Sequence, residues 1–555
     1  MSMEFNAPNP RLCRAVIALL AMLVWGQTVK YEFVWDDHYF IADNQAIRSP
    51  GNIPAMFYSK MAEASDPTLF PNFRPIRNVV YALLCQLGGR GAPKPWIFHL
   101  ANVLGHAAAA ALFFSVAWLV LRPCGEGPAG WAALLTGAAF AVHPAVSEVV
   151  CWAKSLDDIL AALGVLASAR QLLLWQGERR RLAAALVLFV LAMYAKESAV
   201  PFAGLVFFIL LACHKLPWKH CAKLTVPFLL AAGLYLAHRS VVLGKTAQCA
   251  PLSGAYGQTL VDTLPAVATY FRLLWGVPPF SMDYSDMPSH LPFFCLSVMG
   301  GLLLLVLWTA ATLSAWRCER YRPAALGLLW TAFFLLPVSN LVPMSQYMAE
   351  RFLYLPLIGW LLAAGAALAR AARRPAVFGL AAGLLVAWIP VSLARQGLWR
   401  DDFTLFVYSS RDRPANTRLR LNAMSSVFRL PQMHSAFGMD ATGRHLTVAP
   451  SIPPGQGEEM LPALKRVHEL LPGDHFLTSA LAISYGLAGR ISNAIPLLEL
   501  AARQDSNDVQ CWIDLGSAYS AEHNAARARE AWETARRLDP TNRLVLERLN
   551  ALKAR

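Results

Sequence analysis

Charge is what this 555-residue chain has least of. Asp, Glu, Lys and Arg together make up 15% of it, against roughly 25% in an ordinary soluble protein, while hydrophobic residues reach 56%. That balance excludes a soluble globular protein, a disordered one and a fibrous one. Disulfide and metal-ligand spacing are missing as well. The ten cysteines run from Cys13 to Cys511 without a CxxC pair, so neither a disulfide framework nor a zinc site is indicated. No Asn-x-Ser/Thr acceptor sequence with x other than Pro occurs either, which inclines the reading toward a bacterial inner membrane rather than the endoplasmic reticulum. The apolar run Val16 to Val29 has no small-residue cleavage site before Lys30-Tyr31-Glu32 and reads as an uncleaved first span.

What is abundant is long apolar runs. Through the first 400 residues they recur at lengths of about 18 or more, enough to cross a hydrocarbon core of about 30 Å as helices. The net charge of +14 could point to nucleic acid, but Lys and Arg sit in short clusters between the runs, as membrane topology places them. Nucleic acid is therefore set aside. The clusters at Arg11/Arg14, Arg179 to Arg181, Lys215 to Lys223, Arg317 to Arg322 and Arg370 to Arg374 all fall on the cytoplasmic side by the positive-inside rule. About eleven spans satisfy them, near residues 12–29, 97–121, 131–150, 156–175, 182–195, 198–213, 224–242, 293–316, 323–341, 352–369 and 376–394. The run Leu260 to Phe280 is expected to be re-entrant or interfacial. The fold expected is an all-α polytopic membrane domain over 1–395, with a first outer loop at 30–95. An irregular helical linker follows over 396–474, then a C-terminal α-solenoid over 475–555.

The solenoid rests on a period of 34 residues, that of tetratricopeptide repeats. In the unit 509–542, Trp512, Leu515, Gly516, Tyr519, Ala528, Ala535 and Pro540 hold the signature positions; in 475–508, Leu481, Ala482, Tyr485, Ala494 and Ala501 do. Residues 543–555 read as a closing helix, and a third, irregular unit would end near Pro472. Such repeats bind peptides or proteins and do no chemistry themselves. Pro431 to Glu458, rich in Pro, Gly and Ser, reads as a flexible excursion.

Because only basic residues set the topology, it is informative that the acidic and mixed motifs then gather on one face. Asp36 and Asp37 follow a span and the lead-in Tyr31-Glu32-Phe33-Val34-Trp35; adjacent carboxylates so near a membrane repel unless one is protonated, cation-paired or metal-bound. The plain alternative is a helix cap. Arg351, after Glu350 at the start of a span, suits a phosphate because its planar fork stays charged and donates to two oxygens; the alternative is a snorkelling arginine paired with Glu350. Lys196-Glu197, between two spans, reads as a second such site or an internal ion pair. Arg74 and Arg77 in the first outer loop add cations. Glu148 needs a partner, for which Lys154 or a metal would serve. His143 alone reads as a structural histidine more readily than a ligand.

Taken in order, Val34-Trp35-Asp36-Asp37, Phe73-Arg74-Pro75-Ile76, His99 with Asn102, His143-Pro144 to Glu148, Ala195-Lys196-Glu197, Asp283-Tyr284, and Ala349-Glu350-Arg351-Phe352-Leu353-Tyr354-Leu355-Pro356 ahead of tetratricopeptide repeats resemble one family. It is that of the transmembrane and tetratricopeptide repeat-containing proteins, within the GT-C glycosyltransferase superfamily. The resemblance covers nearly the whole chain and departs at the C-terminus, where about two clear repeats replace a longer array. It implies a glycosyltransferase that moves a sugar, mannose or another hexose, from a polyprenyl-phosphate donor in the membrane lipid to a Ser or Thr hydroxyl of an acceptor protein presented by the repeats, on the extracytoplasmic face. By that analogy Asp36 is the base and Asp37 its partner or a group that positions the acceptor. Arg351, Arg74 and Lys196 hold the donor phosphate, with Glu148, Glu197, Glu350, His143 and Tyr354 in support. Some members of the superfamily use a divalent metal, magnesium or manganese, and others use none. The competing classes are a membrane-anchored tetratricopeptide scaffold and a lipid-linked substrate transporter. Against the latter stand the missing inverted repeat and paired broken helices.

Overall fold

A chain in hydrocarbon must satisfy its own N–H and C=O groups, so apolar runs of this length become helices. The computed structural model describes residues 6–60, 63–65, 72–89, 91–244, 250–371, 374–428, 437–439, 446–448 and 456–553; the excursion expected at Pro431 to Glu458 lies largely outside them. It divides into two compact units, Met1–Asp401 and Asp402–Arg555.

The first unit runs through α1 (Pro10–Trp25), α2 (Pro75–Leu87), α3 (Pro95–Leu121), α4 (Glu126–Val142), α5 (Ser147–Cys151), α6 (Leu156–Leu173), α7 (Arg179–Ala195), α8 (Phe202–Cys213), α9 (Trp218–Leu243), α10 (Tyr256–Leu274), α11 (Leu296–Arg317), α12 (Arg322–Leu335), α13 (Tyr354–Arg370) and α14 (Pro375–Gly397). Seven helical stretches are long and apolar enough to span a membrane: Pro10–Lys30, Pro95–Cys124, Trp218–Leu243, Leu296–Arg317, Glu319–Val338, Glu350–Arg370 and Pro375–Gly397. The pair Glu126–Val142 and Pro144–Cys151, bent by 46°, makes eight if it is one span. That is fewer than the eleven read from apolar runs, and the difference lies in three helices. α6 carries Asp157, Asp158 and Arg170, α7 opens on Arg179-Arg180-Arg181, and α8 has 12 residues where a span needs about 20. Hydropathy alone does not separate an apolar helix enclosed by protein from one that crosses lipid.

α3 lies at the centre of the bundle, packed on α1, α4 and α6, while α13 packs on α4 and α12. The last of these contacts requires glycine. A Cβ on Gly327 would meet the Gly359 carbonyl oxygen at 2.5 Å, and one on Gly359 the Gly327 oxygen at 2.5 Å, so the two backbones touch, as small residues allow in membrane helix pairs.

The second unit contains α15 (Asp402–Asp412), α16 (Thr417–Phe428), a short antiparallel pair β1 (Phe437–Met439) and β2 (Leu446–Val448), α17 (Gln456–Leu470), α18 (His475–Leu487), α19 (Ile491–Gln504), α20 (Val509–Ala521), α21 (Ala525–Leu538) and α22 (Arg543–Lys553). The hairpins α18–α19 and α20–α21 are the tetratricopeptide repeats, and α22 packs on α21. Their shared core includes Leu498, Leu515, Trp532, Ala535 and Val545. Gly516 is needed there because a Cβ would come within 2.4 Å of the Trp532 indole, whose Nε1 donates to the Ile513 carbonyl at 3.2 Å.

Candidate active site

The first loop is organised by a strained residue. Trp35 has φ of 56°, a left-handed conformation that costs a bulky L-residue about 1–3 kcal/mol. Its ring stacks on Trp152, with centroids 4.8 Å apart and planes 10° from parallel. This turn aims the two aspartates in different directions. Asp37 is fully buried; its Oδ2 accepts from the Val34 N–H at 3.0 Å and its Oδ1 from the Lys154 N–H at 2.7 Å. Burial raises its pKa against the pull of these two donors. With both oxygens occupied, Asp37 is a clip that fixes the loop to the connector between α5 and α6. Asp36 keeps 17% side-chain exposure, and its carboxylate meets the Lys154 ammonium at 3.7 Å.

The connector Trp152 to Ser155 is held from several elements at once. Asn102 on α3 donates to the Trp152 carbonyl at 2.7 Å, the Tyr81 hydroxyl on α2 to the Lys154 carbonyl at 2.9 Å, and Trp152 Nε1 to the Val34 carbonyl at 3.3 Å. Fixed in this way, Trp152 becomes the hub of the site. Lys154 Nζ lies 4.5 Å from its ring centroid and 5.1 Å from that of Phe40, and Arg351 Cζ lies 5.6 Å from it. Desolvation lowers the Lys154 ammonium to about 8, with Asp36 and Asp157 opposing the shift and Arg351 and Arg74 adding to it.

Arg351 is seated by Glu148. Its Nη1 donates to Glu148 Oε1 at 2.5 Å and its backbone N–H to Oε2 at 2.9 Å, while Nη2 donates to Gln346 at 2.7 Å. Two of the five guanidinium N–H groups are thereby occupied, and the side chain keeps 12% exposure. Asp36, Lys154 and Arg351, distant in sequence, thus meet around one indole.

Arg74 and Lys196 stand in a second cluster, where each already meets two carboxylates. Arg74 forks onto Glu197 at 3.1 and 2.7 Å and reaches Asp157 at 2.6 Å. Lys196 bonds Asp158 at 2.5 Å and Asp157 at 3.3 Å. Arg77, fully buried, bonds Glu63 at 2.5 Å. A third set contains Glu350, which accepts from the Ser281 N–H at 2.6 Å, the Tyr284 hydroxyl at 2.9 Å and the Arg395 guanidinium. Arg395 also bonds Ser147 Oγ at 2.8 Å, so Glu350 braces the start of α5 and is not the partner of Arg351. His143 is buried, its Nδ1 accepting from the Ala145 N–H at 3.2 Å. The Tyr354 hydroxyl bonds His106 Nδ1 at 2.8 Å. Neither side chain makes a hydrogen bond to the Trp152 cluster.

One residue escaped the sequence reading and another was given the wrong partner. Lys154, taken there as a partner for Glu148, faces Asp36, and Trp152 was not singled out. Their only signal is the break Trp152-Ala153-Lys154-Ser155 between two helical stretches. Among the described residues, no group of three or more His, Cys, Asp or Glu side chains is placed to hold a metal ion. Asp37 has both oxygens on backbone N–H groups, and Asp36 faces an ammonium. The residues present do not fit a divalent metal.

Comparison with known proteins adds relatives to this geometry. No family model matches the chain. It is 25% identical over 473 residues to protein O-mannosyl-transferase TMTC4 of Mus musculus, covering 74% of this chain and 63% of the relative. It is 28% identical over 159 residues to TMTC2 of Homo sapiens, covering 28% and 18%, and 29% over 191 residues to Tmtc2 of Drosophila melanogaster, covering 33% and 20%. The chain therefore spans less than two thirds of the length of these relatives. They are animal proteins and lend no support to a bacterial membrane. Among solved structures, the tetratricopeptide repeat domain of P58(IPK) covers 67% of this chain and 93% of its own at 12% identity, with a TM-score of 0.20, too low to speak for a shared fold. The resemblance read from the motifs holds: the relatives of this multi-pass membrane chain are the transmembrane and tetratricopeptide repeat-containing proteins.

Proposed function

We propose that the chain is a glycosyltransferase that moves a sugar, mannose by analogy with the names of its relatives, from a polyprenyl phosphate to a Ser or Thr hydroxyl of an acceptor protein. Asp36 takes the proton of the acceptor hydroxyl as its oxygen attacks the anomeric carbon. The bond from that carbon to the phosphate oxygen breaks with its electron pair on the phosphate, and Arg351 stabilises the departing charge, seated for this by Glu148. Arg74, Lys196 and Glu197 frame the site instead of holding phosphate, since their polar atoms already bind one another and Asp157 and Asp158. The lipid tail of the donor lies in the bilayer among the spans, the reacting face is extracytoplasmic, and the repeats present the acceptor.

The observation that carries this reading is Asp36 itself. It is a partly exposed carboxylate whose ion-pair contact among the described residues is Lys154 at 3.7 Å, and that lysine shares the Trp152 ring with Arg351, which keeps unoccupied N–H groups. The test is sugar transfer by the purified protein in detergent, with a panel of radiolabelled polyprenyl-phosphate sugars and an extract of candidate acceptors. Wild type should label protein, and Asp36→Asn should lose about 10²–10⁴-fold, the usual contribution of a positioned base, with an unchanged melting profile. If wild type transfers nothing yet binds proteins through residues 475–555, the scaffold reading takes its place.

A further inference from the structure

Lys154 is a lysine that the fold holds in place by its backbone on both sides. Its N–H is bound by Asp37 and its C=O by Tyr81, so the main chain cannot carry the ammonium away. The side chain is 11% exposed and lies over the faces of Phe40 and Trp152, surfaces that favour a cation without neutralising it. The charged groups around it are Asp36 on the first loop, Arg351 ahead of α13, Arg74 ahead of α2 and Asp157 on α6. Of the two carboxylates, Asp157 is bound to Arg74, Arg77 and Lys196. That leaves Asp36, at 3.7 Å, as the partner of Lys154, and 3.7 Å is a loose contact for an ion pair.

Resting on the transferase reading above, we infer that Lys154 is the cation that couples the two halves of the transfer. In the resting site its charge faces Asp36. When Asp36 takes the acceptor's proton, that carboxylate becomes neutral, and the ammonium loses its counter-charge as the phosphate oxygen gains one. Lys154 keeps all its protons throughout. The proton passes from acceptor hydroxyl to Asp36, the acceptor oxygen bonds to the anomeric carbon, and the leaving electron pair stays on the phosphate. Lys154 therefore acts more strongly on the transition state than on the bound substrates, which is the condition for raising kcat. Arg351 does not replace it, because its own partner Glu148, bonded to both its guanidinium and its backbone N–H, takes no part in the proton transfer.

The experiment compares wild type, Lys154→Met and Lys154→Arg as full-length protein in detergent, with the labelled polyprenyl-phosphate sugar that wild type uses. Initial rates are taken across the neutral and alkaline range alongside thermal unfolding. Lys154→Met should lower kcat about 10²–10³-fold, as removal of one charge-stabilising group does, with KM for the acceptor little changed. Wild-type rate should fall as pH rises through about 8, where Lys154 loses its proton. Arginine stays charged, so Lys154→Arg should recover most of the rate and lose that alkaline fall. Wild-type kcat in Lys154→Met overturns the inference. So does a loss shared equally by both variants with lowered unfolding temperature and an unmoved alkaline limb, which marks a structural lysine. A wild type that transfers nothing from any donor fails the transferase reading itself, a result distinct from a variant that transfers normally.

Discussion

Two clusters of buried charge lie beside each other in the membrane unit, and they differ in what their polar atoms are doing. Around Asp157, the donors of Arg74 and Lys196 meet carboxylates on α6 and at Glu197, while Arg77 meets Glu63. Around Trp152, Arg351 has a seat at Glu148 and donors left over, Lys154 has aromatic faces and one loose carboxylate, and Asp36 keeps an open side. The density of charge is similar, and the sequence reading ranked residues from both as phosphate ligands. What separates them is charge compensation: Arg74 and Lys196 each meet two carboxylates, whereas Arg351 meets one and Lys154 one at 3.7 Å. A buried network whose cations are matched by carboxylates fixes structure, and breaking it leaves an uncompensated charge; a cluster with positive charge to spare can still receive an anionic substrate.

The sharpest way to break that contrast is to attack the paired cluster. Asp157→Ala leaves Arg74, Arg77 and Lys196 with one acceptor fewer among them, and removing one member of a buried network costs about 3–5 kcal/mol. Thermal unfolding in detergent should show a large drop, or no folded protein should be recovered. A variant that melts like wild type would mean the network is hydrated and its carboxylates are open to ligand after all.

The open cluster should respond in the opposite sense. Arg351→Lys keeps the charge but loses the planar fork that binds Glu148 and Gln346 while presenting further N–H groups. Transfer should fall by about 10²-fold, equivalent to about 2.7 kcal/mol in the barrier, while the unfolding temperature stays close to that of wild type. Equal losses in rate and stability would place Arg351 with the paired cluster and move the phosphate elsewhere.

Much of this was legible in the chain, unevenly. The 34-residue period revealed the repeats because each hairpin buries the same positions, Ala482 and Leu498 in one and Gly516 and Trp532 in the next. Asp36, Arg351 and Glu148 stood out because carboxylates and an arginine beside apolar runs need a reason. Their pairing did not. Glu350 precedes Arg351 directly and invites a local ion pair, yet neighbouring residues on a helix point apart; Arg351 finds Glu148, 203 positions away, and Glu350 finds Arg395. Lys154 was hidden for the same reason, as a lone charge in a short break whose meaning depends on a loop more than 100 residues earlier. The count of eleven spans is not matched by the seven or eight stretches of sufficient length and apolarity, because α6 carries three charged residues, α7 opens on three arginines and α8 is short.

The most finely balanced change in stability comes from the strained residue that joins the two themes. Trp35→Gly relieves the left-handed penalty of about 1–3 kcal/mol and removes a stacked aromatic pair worth about 0.5–1.5 kcal/mol beyond its buried area. These oppose each other, and the half-buried ring gives up its apolar area as well, so unfolding in detergent should shift by no more than about 2.5 kcal/mol. Transfer should not be spared. Without the indole, Trp152 loses the partner that holds its ring beneath Lys154 and beside Arg351, and displacement of a reacting group by about 1 Å can cost up to about a hundredfold. A variant that melts like wild type but transfers poorly would show that the strain at Trp35 serves to place Asp36 and the hub. One that loses stability in proportion to activity would make Trp35 an ordinary core residue, and the first loop would join the paired cluster as scaffold.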